Sequence, residues 1–347
     1  MGLHGNLLRW FQSYLTGRTL CVKIGEFISN LFEVFSGIAQ GSHLGPLVFL
    51  FYFNDSNYAL QAPRLSYADD MKIYCEVKTL DEARFLQRQL YVFADWCATN
   101  RMVLNPQKCS VISFTRKKKP IVFDYHLSGA VVARQNCVKD LGVLLDSGLN
   151  FYQHITYTVA KASRQLGFIF RIARNFTDIY CLKTLYCSLV RSTLEYCSTV
   201  WNPHFQRGVD RIEAVQRRFI RYALRNLFWR DPLRLPSYES RCQLIHLDTL
   251  GLRRDVARAQ VVADTLSSRI DCPEILRRIN LQARSRTLRH NTLIRLPFRP
   301  TIYSANGAVT GLLRMFNRVA AVFDFNVSRD VVTTTFFKRG PSGLFFL

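Results

Sequence analysis

Leu65-Ser66-Tyr67-Ala68-Asp69-Asp70-Met71-Lys72-Ile73-Tyr74 sets two carboxylates side by side between two short apolar runs. Leu65 to Ala68 and Met71 to Cys75 are rich in residues that suit strands, which predicts a tight β-hairpin with the acids at its tip. In an extended strand Asp69 and Asp70 would point to opposite faces. At a turn that rule relaxes, and both can serve one site. Adjacent carboxylates repel unless water screens them or a cation neutralises them. Taken alone, the pair reads far better as a solvated Asp-Asp turn than as a cation site. The stretch upstream changes the balance.

That stretch runs Gly37-Ile38-Ala39-Gln40-Gly41-Ser42-His43-Leu44-Gly45-Pro46 and then enters the apolar segment Leu47 to Phe53, which ends at Asn54-Asp55. Glycines let a backbone approach a ligand and expose its N–H groups. Leu47 to Phe53 is too short to span a bilayer and is expected to form a buried helix. A Gly-rich loop followed at this interval by Tyr67-Ala68-Asp69-Asp70 resembles the palm of a reverse transcriptase, closest to the non-LTR (LINE-type) retrotransposon polymerases. In that family a G-x-P-Q-G-S-x-L-G-P block precedes a Y/F-A-D-D block. Here Ala39 stands in place of the proline, and His43 occupies a variable position. Asp55 is expected to be a helix-end or packing acid.

Trp10-Phe11-Gln12-Ser13-Tyr14-Leu15-Thr16-Gly17-Arg18 resembles the family's W-F-x-S-Y-L-x-x-R segment, and Asn105-Pro106-Gln107-Lys108 its N-P-x-K block. Val138-Lys139-Asp140-Leu141-Gly142-Val143-Leu144-Leu145-Asp146 resembles its K-x-L-G-V-x-x-D block. The resemblance implies that Asp69, with Asp70 beside it, ligates magnesium, or manganese in its stead. It implies that Gly37, Gln40, Gly41 and Tyr67 shape the nucleotide and template site. Lys108 would contact the nucleotide phosphates or protonate the leaving pyrophosphate, although an ordinary surface lysine is an equal reading. Gly142 would let the primer backbone approach. The implied partners are an RNA template, a DNA primer and nucleoside triphosphates. Polymerases of this kind use two metal ions held by carboxylates, one carboxylate from an earlier strand. Before Asp55 the only acids are Glu26 and Glu33, in the wrong context. The expectation is therefore a partial palm, without fingers or the first catalytic strand, that does not polymerise alone. A non-catalytic RNA- or DNA-binding remnant is the alternative, and a product of a decayed element with no working role is a third reading.

Charge separates the chain into two parts. Residues 1–99 carry 8 Lys and Arg against 9 Asp and Glu, while residues 100–347 carry 39 against 16. The positive excess thus lies wholly beyond the Asp-Asp stretch, which points to a polyanion, nucleic acid before an anionic membrane. Ten cysteines show no C-x-x-C pair or zinc-ligand spacing. Cys181, Cys187 and Cys197 fall in apolar helical context and are expected in a core. No signal peptide or transmembrane run is visible, so an intracellular protein of nucleus or cytoplasm is expected.

Apolar spacing predicts helices near 3–15, 79–102, 152–174, 178–193, 207–226, 249–269 and 307–323. Thr79 with Glu82 makes a capping box for the second, whose apolar face is Ala83, Leu86, Leu90, Phe93, Ala94 and Cys97. Strands are expected at 19–25, 31–36 and 111–114, with a hairpin about Ser128-Gly129. Arg211, Arg218, Arg221 and Arg225 step at helical intervals, with Arg217 beside them. They form either a phosphate-facing stripe or a solvated helix face. The fold class expected is α+β: a partial palm (antiparallel sheet with packed helices) over 1–150, a helical thumb over 151–235 and a basic helical region over 236–347.

Overall fold

A computed structural model describes residues 4–39, 41–225, 236–282 and 292–319. The chain mixes helices with short strands and divides into two compact units, Met1–Asn136 and Cys137–Leu347.

The first unit opens with α1 (Gly5–Leu15) and four short strands, β1 (Arg18–Leu20), β2 (Lys23–Ile24), β3 (Phe27–Ile28) and β4 (Phe32–Val34). β1 pairs antiparallel with β4 and β2 with β3, so the two expected strands form one interrupted ribbon linked around Gly25. Next come α2 (Gly45–Asn54), α3 (Ser56–Ala59), the hairpin of β5 (Arg64–Tyr67) and β6 (Asp70–Ile73), and α4 (Leu80–Thr99). The capping box forms as expected: the Thr79 side chain accepts from Glu82 N while the Glu82 carboxylate accepts from Thr79 N. After a 3-10 turn at Pro106–Lys108 come β7 (Ser110–Val111), β8 (His126–Leu127), β9 (Ala130–Val131) and β10 (Ala133–Arg134). β8 and β9 form the hairpin about Ser128-Gly129, whose two φ angles are both positive. β7 pairs in parallel with β10. Among the described residues every strand pairs with one other, and no wider sheet forms.

The core of this unit is small. Phe53, Leu60, Phe93 and Cys97 form it, with Phe49, Met71, Ile73 and Trp96 against its edge. Burial pushes the Cys97 thiol up to about 11. α4 adds two buried glutamines to its apolar face. Gln89 Oε1 accepts from the amides of Gln61 and Ala62 at 2.7 and 3.2 Å, and Gln87 exchanges two 2.8 Å bonds with the backbone of His126. Each side chain takes the place of a missing ladder partner, so α4 grips the entry to β5 and the edge of β8. The expected packing of this helix across a broad sheet is replaced by contacts with α3 and β8. The apolar segment 47–53 is helical but not buried as expected. Only its Phe53 is in the core, while Leu47, Leu50, Phe51 and Tyr52 are about 40% exposed or more. An all-apolar helix carries no sign of which face is covered, and here the Phe49–Phe53 edge is the part that packs on the core cluster.

The second unit begins with β11 (Cys137–Asp140) and β12 (Val143–Asp146), an antiparallel hairpin turning at Leu141-Gly142. α5 (Tyr152–Ile172) and α6 (Ile179–Leu185) follow, then a π-helical stretch at Tyr186–Arg191. α7 (Ser192–Glu195), α8 (Ser198–Trp201), α9 (Gln206–Ala223), α10 (Tyr238–Leu244), α11 (Leu250–Leu266), α12 (Pro273–Leu276), α13 (Ile302–Ala305) and α14 (Ala308–Val319) complete it. Two apolar clusters hold it together. The larger joins Val143 of the hairpin to Ile155, Leu166, Tyr186, Leu194, Trp201, Phe219 and Leu250, and the smaller seats α14 on α11. The core positions expected for Cys181 and Cys197 are not observed: both are exposed, whereas Cys242 is buried. Cys197 ends its helical run with a φ of +54°, which turns its side chain out of the apolar register.

His154 is 3% exposed, lies edge-on to Trp201, and accepts at Nδ1 from Leu144 N at 3.2 Å. Burial holds its pKa below the ordinary histidine value. The unfolded chain therefore takes up the proton first. The stabilisation is complete above the unfolded pKa of about 6.5 and is lost as pH falls through it towards the lowered folded value. Between pH 7.5 and 5.5 the melting temperature is expected to drop by roughly 3 °C in total more in the natural protein than in His154→Gln. Parallel slopes would assign the dependence to another group.

Candidate functional site

The carboxylate hairpin forms in the register its sequence implies. Tyr67 faces Asp70 across the ladder, and Ala68-Asp69 make a two-residue turn in which Ala68 has a φ of +52°. Tyr67, Asp69 and Asp70 are all exposed, so the tip presents two carboxyl groups to solvent on a short ribbon. The ribbon is anchored from beneath. Met71 and Ile73 reach the core cluster, and Arg64 at its base donates to Asn57 Oδ1 and Leu60 O, both at 2.9 Å.

The Gly-rich loop is braced by residues of the 10–18 segment. Arg18 donates to Gly37 O at 2.6 Å and to Leu15 O at 3.1 Å, and Tyr14 Oη bonds Ser42 Oγ. Gly37 and Gly41 have φ of +80° and +78°, and an added Cβ at either would meet nothing within 4 Å. They are glycines for their backbone conformation, and their open side faces solvent. Gln40 lies outside the described residues. Sequence reading took Tyr14 and Arg18 only as part of a family segment and missed their role as braces. The signal was a hydroxyl and a cation four residues apart, at and just beyond the end of α1. Lys108 sits exposed in the 3-10 turn, which Asn105 caps by accepting from Gln107 N at 3.0 Å. Its side chain makes no ion pair or hydrogen bond among the described residues.

Gly142 belongs to the second unit. Its φ is +87°, and an added Cβ would lie 3.2 Å from the Tyr196 ring. Tyr196 also donates its hydroxyl to Leu141 O at 2.8 Å. The near neighbour of this glycine is thus a side chain of the same chain, a constraint that the open approach expected for a primer did not include. Asp146 closes the hairpin: its carboxylate accepts from the amides of Gly148, Asn150 and Phe151 at 2.8 to 3.1 Å.

Two carboxylates fall short of the donor set of a two-metal centre. Among the described residues no group of three or more His, Cys, Asp or Glu side chains could hold a metal ion. The described residues therefore do not by themselves fit the magnesium site the resemblance implies. Of the expected arginine stripe, Arg211 and Arg225 have protein partners, as has Arg217 beside it. Arg211 donates to Thr156 Oγ1, Arg217 lies over the Tyr238 ring, and Arg225 donates to Tyr222, Arg174 and Phe176 carbonyls. Arg218 and Arg221 are exposed and unpaired among the described residues, as is Arg207 one turn before Arg211. No described helix is long and apolar enough to cross a membrane.

Residues 3–145 match the family described as reverse transcriptase (RNA-dependent DNA polymerase). This stretch is thus similar to reverse transcriptases, and the relatives below, all from mobile elements, are similar in the same sense. The chain is 28% identical over 220 residues to the probable RNA-directed DNA polymerase from transposon X-element of Drosophila melanogaster, covering 60% of this chain and 24% of that protein. It is 28% identical over 223 residues to the corresponding protein from transposon BS of the same fly, with the same shares covered. To the RNA-directed DNA polymerase from mobile element jockey of that species it is 25% identical over 223 residues, again 60% and 24%. These alignments are longer than the family segment, so the similarity runs beyond it. The chain spans about a quarter of the length of the curated relatives it matches. No solved structure matches.

Proposed function

We propose that the chain is a polymerase portion working on nucleic acid: a partial palm over 1–150, a helical thumb over 151–235 and a basic region over 236–347. In this reading the activity it belongs to is RNA-directed DNA synthesis by nucleotidyl transfer. The observation that carries it is the Tyr67-Ala68-Asp69-Asp70 hairpin, which presents two exposed carboxylates within the segment that matches the reverse transcriptase family. Asp69 and Asp70 are the metal-facing acids, Gly37, Gln40, Gly41 and Tyr67 line the nucleotide and template side, and Lys108 meets phosphates. The hairpin about Gly142 meets the primer strand, with Tyr196 setting its turn. Asp69 and Asp70 do not by themselves complete a site for magnesium or manganese, which would take a further carboxylate.

Alone, the 347-residue chain is expected to bind an RNA-template–DNA-primer duplex without extending it, in magnesium or in manganese. Primer extension beside an Asp69→Ala control tests this. Extension that vanishes in the control would mean that the site is completed within the chain or between copies of it. Absence of any duplex binding would remove the reading altogether.

A further inference from the structure

α5 has an outer face that the fold does not use. Its buried positions are His154, Ile155, Thr158, Ala162, Leu166 and Ile169, which fix one side of the helix in the larger core. At 100° per residue one exposed flank, turned well away from that side, carries Tyr157, Lys161, Arg164, Phe168 and Arg171, successive residues three or four apart. All five are exposed, Tyr157 by 41% and Phe168 by 47%. Lys161, Arg164 and Arg171 make no ion pair or hydrogen bond among the described residues. The 21 residues of the helix include no Asp or Glu. At the end nearest the hairpin, Lys139 of β11 lies 5.8 Å from the centre of the Tyr157 ring, which extends the strip by one more cation. Beside it, Gly167 has open space where a Cβ would be.

Neither ring belongs to the apolar cluster beneath the helix, and each is left more than two-fifths in water between cations. They match a polynucleotide in two respects: ring faces on which bases stack, and cations that neutralise phosphates. A duplex keeps its base faces covered and engages only the cations. A protein partner would need acidic groups to match the cations and apolar groups to match the rings. A single strand supplies both from one repeating unit.

We propose that the outer face of α5 is a binding strip for a single-stranded polynucleotide, with bases stacked on Tyr157 and Phe168 and phosphates on Lys139, Lys161, Arg164 and Arg171. The strip deepens the reading of the chain as a nucleic-acid protein and does not depend on the carboxylate hairpin. From Tyr157 to Arg171 it is about 21 Å long at 1.5 Å per residue, room for roughly six nucleotides at about 3.4 Å each.

The test is fluorescence anisotropy with the full chain and three probes: a 12-residue oligouridylate, a 12-residue oligothymidylate and a blunt 12-base-pair RNA–DNA duplex. Tyr157→Ala with Phe168→Ala is expected to weaken both single strands by at least roughly tenfold and to leave the duplex within about twofold. Tyr157→Phe with Phe168→Tyr keeps both rings and is expected to keep the affinity. Whichever single strand the natural protein binds more tightly names the occupant, since the strip itself reads no sugar. All substituted residues are exposed, and an unchanged melting temperature verifies that the variants fold. Equal losses on duplex and single strand, single-strand affinity unaffected by the alanines, or no single-strand binding by the natural protein would overturn the proposal. The last result together with intact duplex binding would discard the strip and leave the polymerase reading standing.

Discussion

Gln216→Leu is expected to lower the melting temperature of the helical unit by roughly 10 °C. Gln216 is wholly buried and ties three parts of the unit together. Its Oε1 accepts from the Tyr186 hydroxyl at 2.8 Å, and its Nε2 donates to the Tyr238 hydroxyl at 2.9 Å and to Asp248 O at 2.8 Å. Tyr238 passes the network on to Glu213 Oε2 at 2.7 Å, and Glu213 Oε1 accepts from Gly251 N at 2.6 Å. Burial, with Glu213 next, pushes the Tyr238 phenol well up, and burial does the same to Tyr186. Both therefore remain donors at any working pH. Leucine matches the volume but strands a phenol and a carbonyl in the core, at a cost of about 3 kcal/mol. For a unit of this size that is the shift stated. Thermal unfolding by circular dichroism measures it. A change below about 2 °C would show that the network is not coupled to the fold.

Duplex affinity is expected to fall about a thousandfold between 50 and 200 mM salt, the behaviour of about six phosphate contacts. The count comes from the exposed cations of two packed helices that have no protein partner among the described residues: Arg207, Arg218 and Arg221 on α9 and Lys161, Arg164 and Arg171 on α5. Arg211, Arg217 and Arg225 are excluded because their guanidinium groups already have partners. Replacing Arg207, Arg218 and Arg221 by glutamine should reduce the slope of log affinity against log salt by roughly 2.7. Affinity that changes less than tenfold over that range would mean that phosphates do not dominate the grip.

The features legible in the sequence were those whose signal is local. The Thr79–Glu82 capping box, the turn at Ser128-Gly129 and the Asp69-Asp70 hairpin each lie within four residues of chain, and each forms as its residues imply. The turn at Leu141-Gly142 formed too, but its neighbour Tyr196 is far along the chain. What escaped depends on distant partners. Gln87 meets a backbone 39 residues away and Gln216 one 32 away, and a glutamine on an apolar face gives no hint of either. Arg254 and Arg258 are at least nine-tenths buried on α11, where sequence reading counts arginine as solvent-facing. The apolar run 47–53 failed in the opposite sense, since composition states a preference for burial and not the presence of a neighbour. At the candidate site the two acids were legible as a pair. The bracing of the glycine loop by Tyr14 and Arg18 was not, because a brace is defined by what it touches.

The placement of Tyr196 beside Gly142 also bears on how this sequence can change over time. Any side chain at position 142 would have both to adopt a left-handed backbone and to displace an aromatic ring, whereas a smaller residue at 196 would relieve the second demand alone. The two positions are 54 residues apart in the chain yet are not independent. Loss of the glycine is therefore easier in a chain that already carries a smaller residue at 196, so the order of substitution, and not only the pair of residues, is biased by this contact.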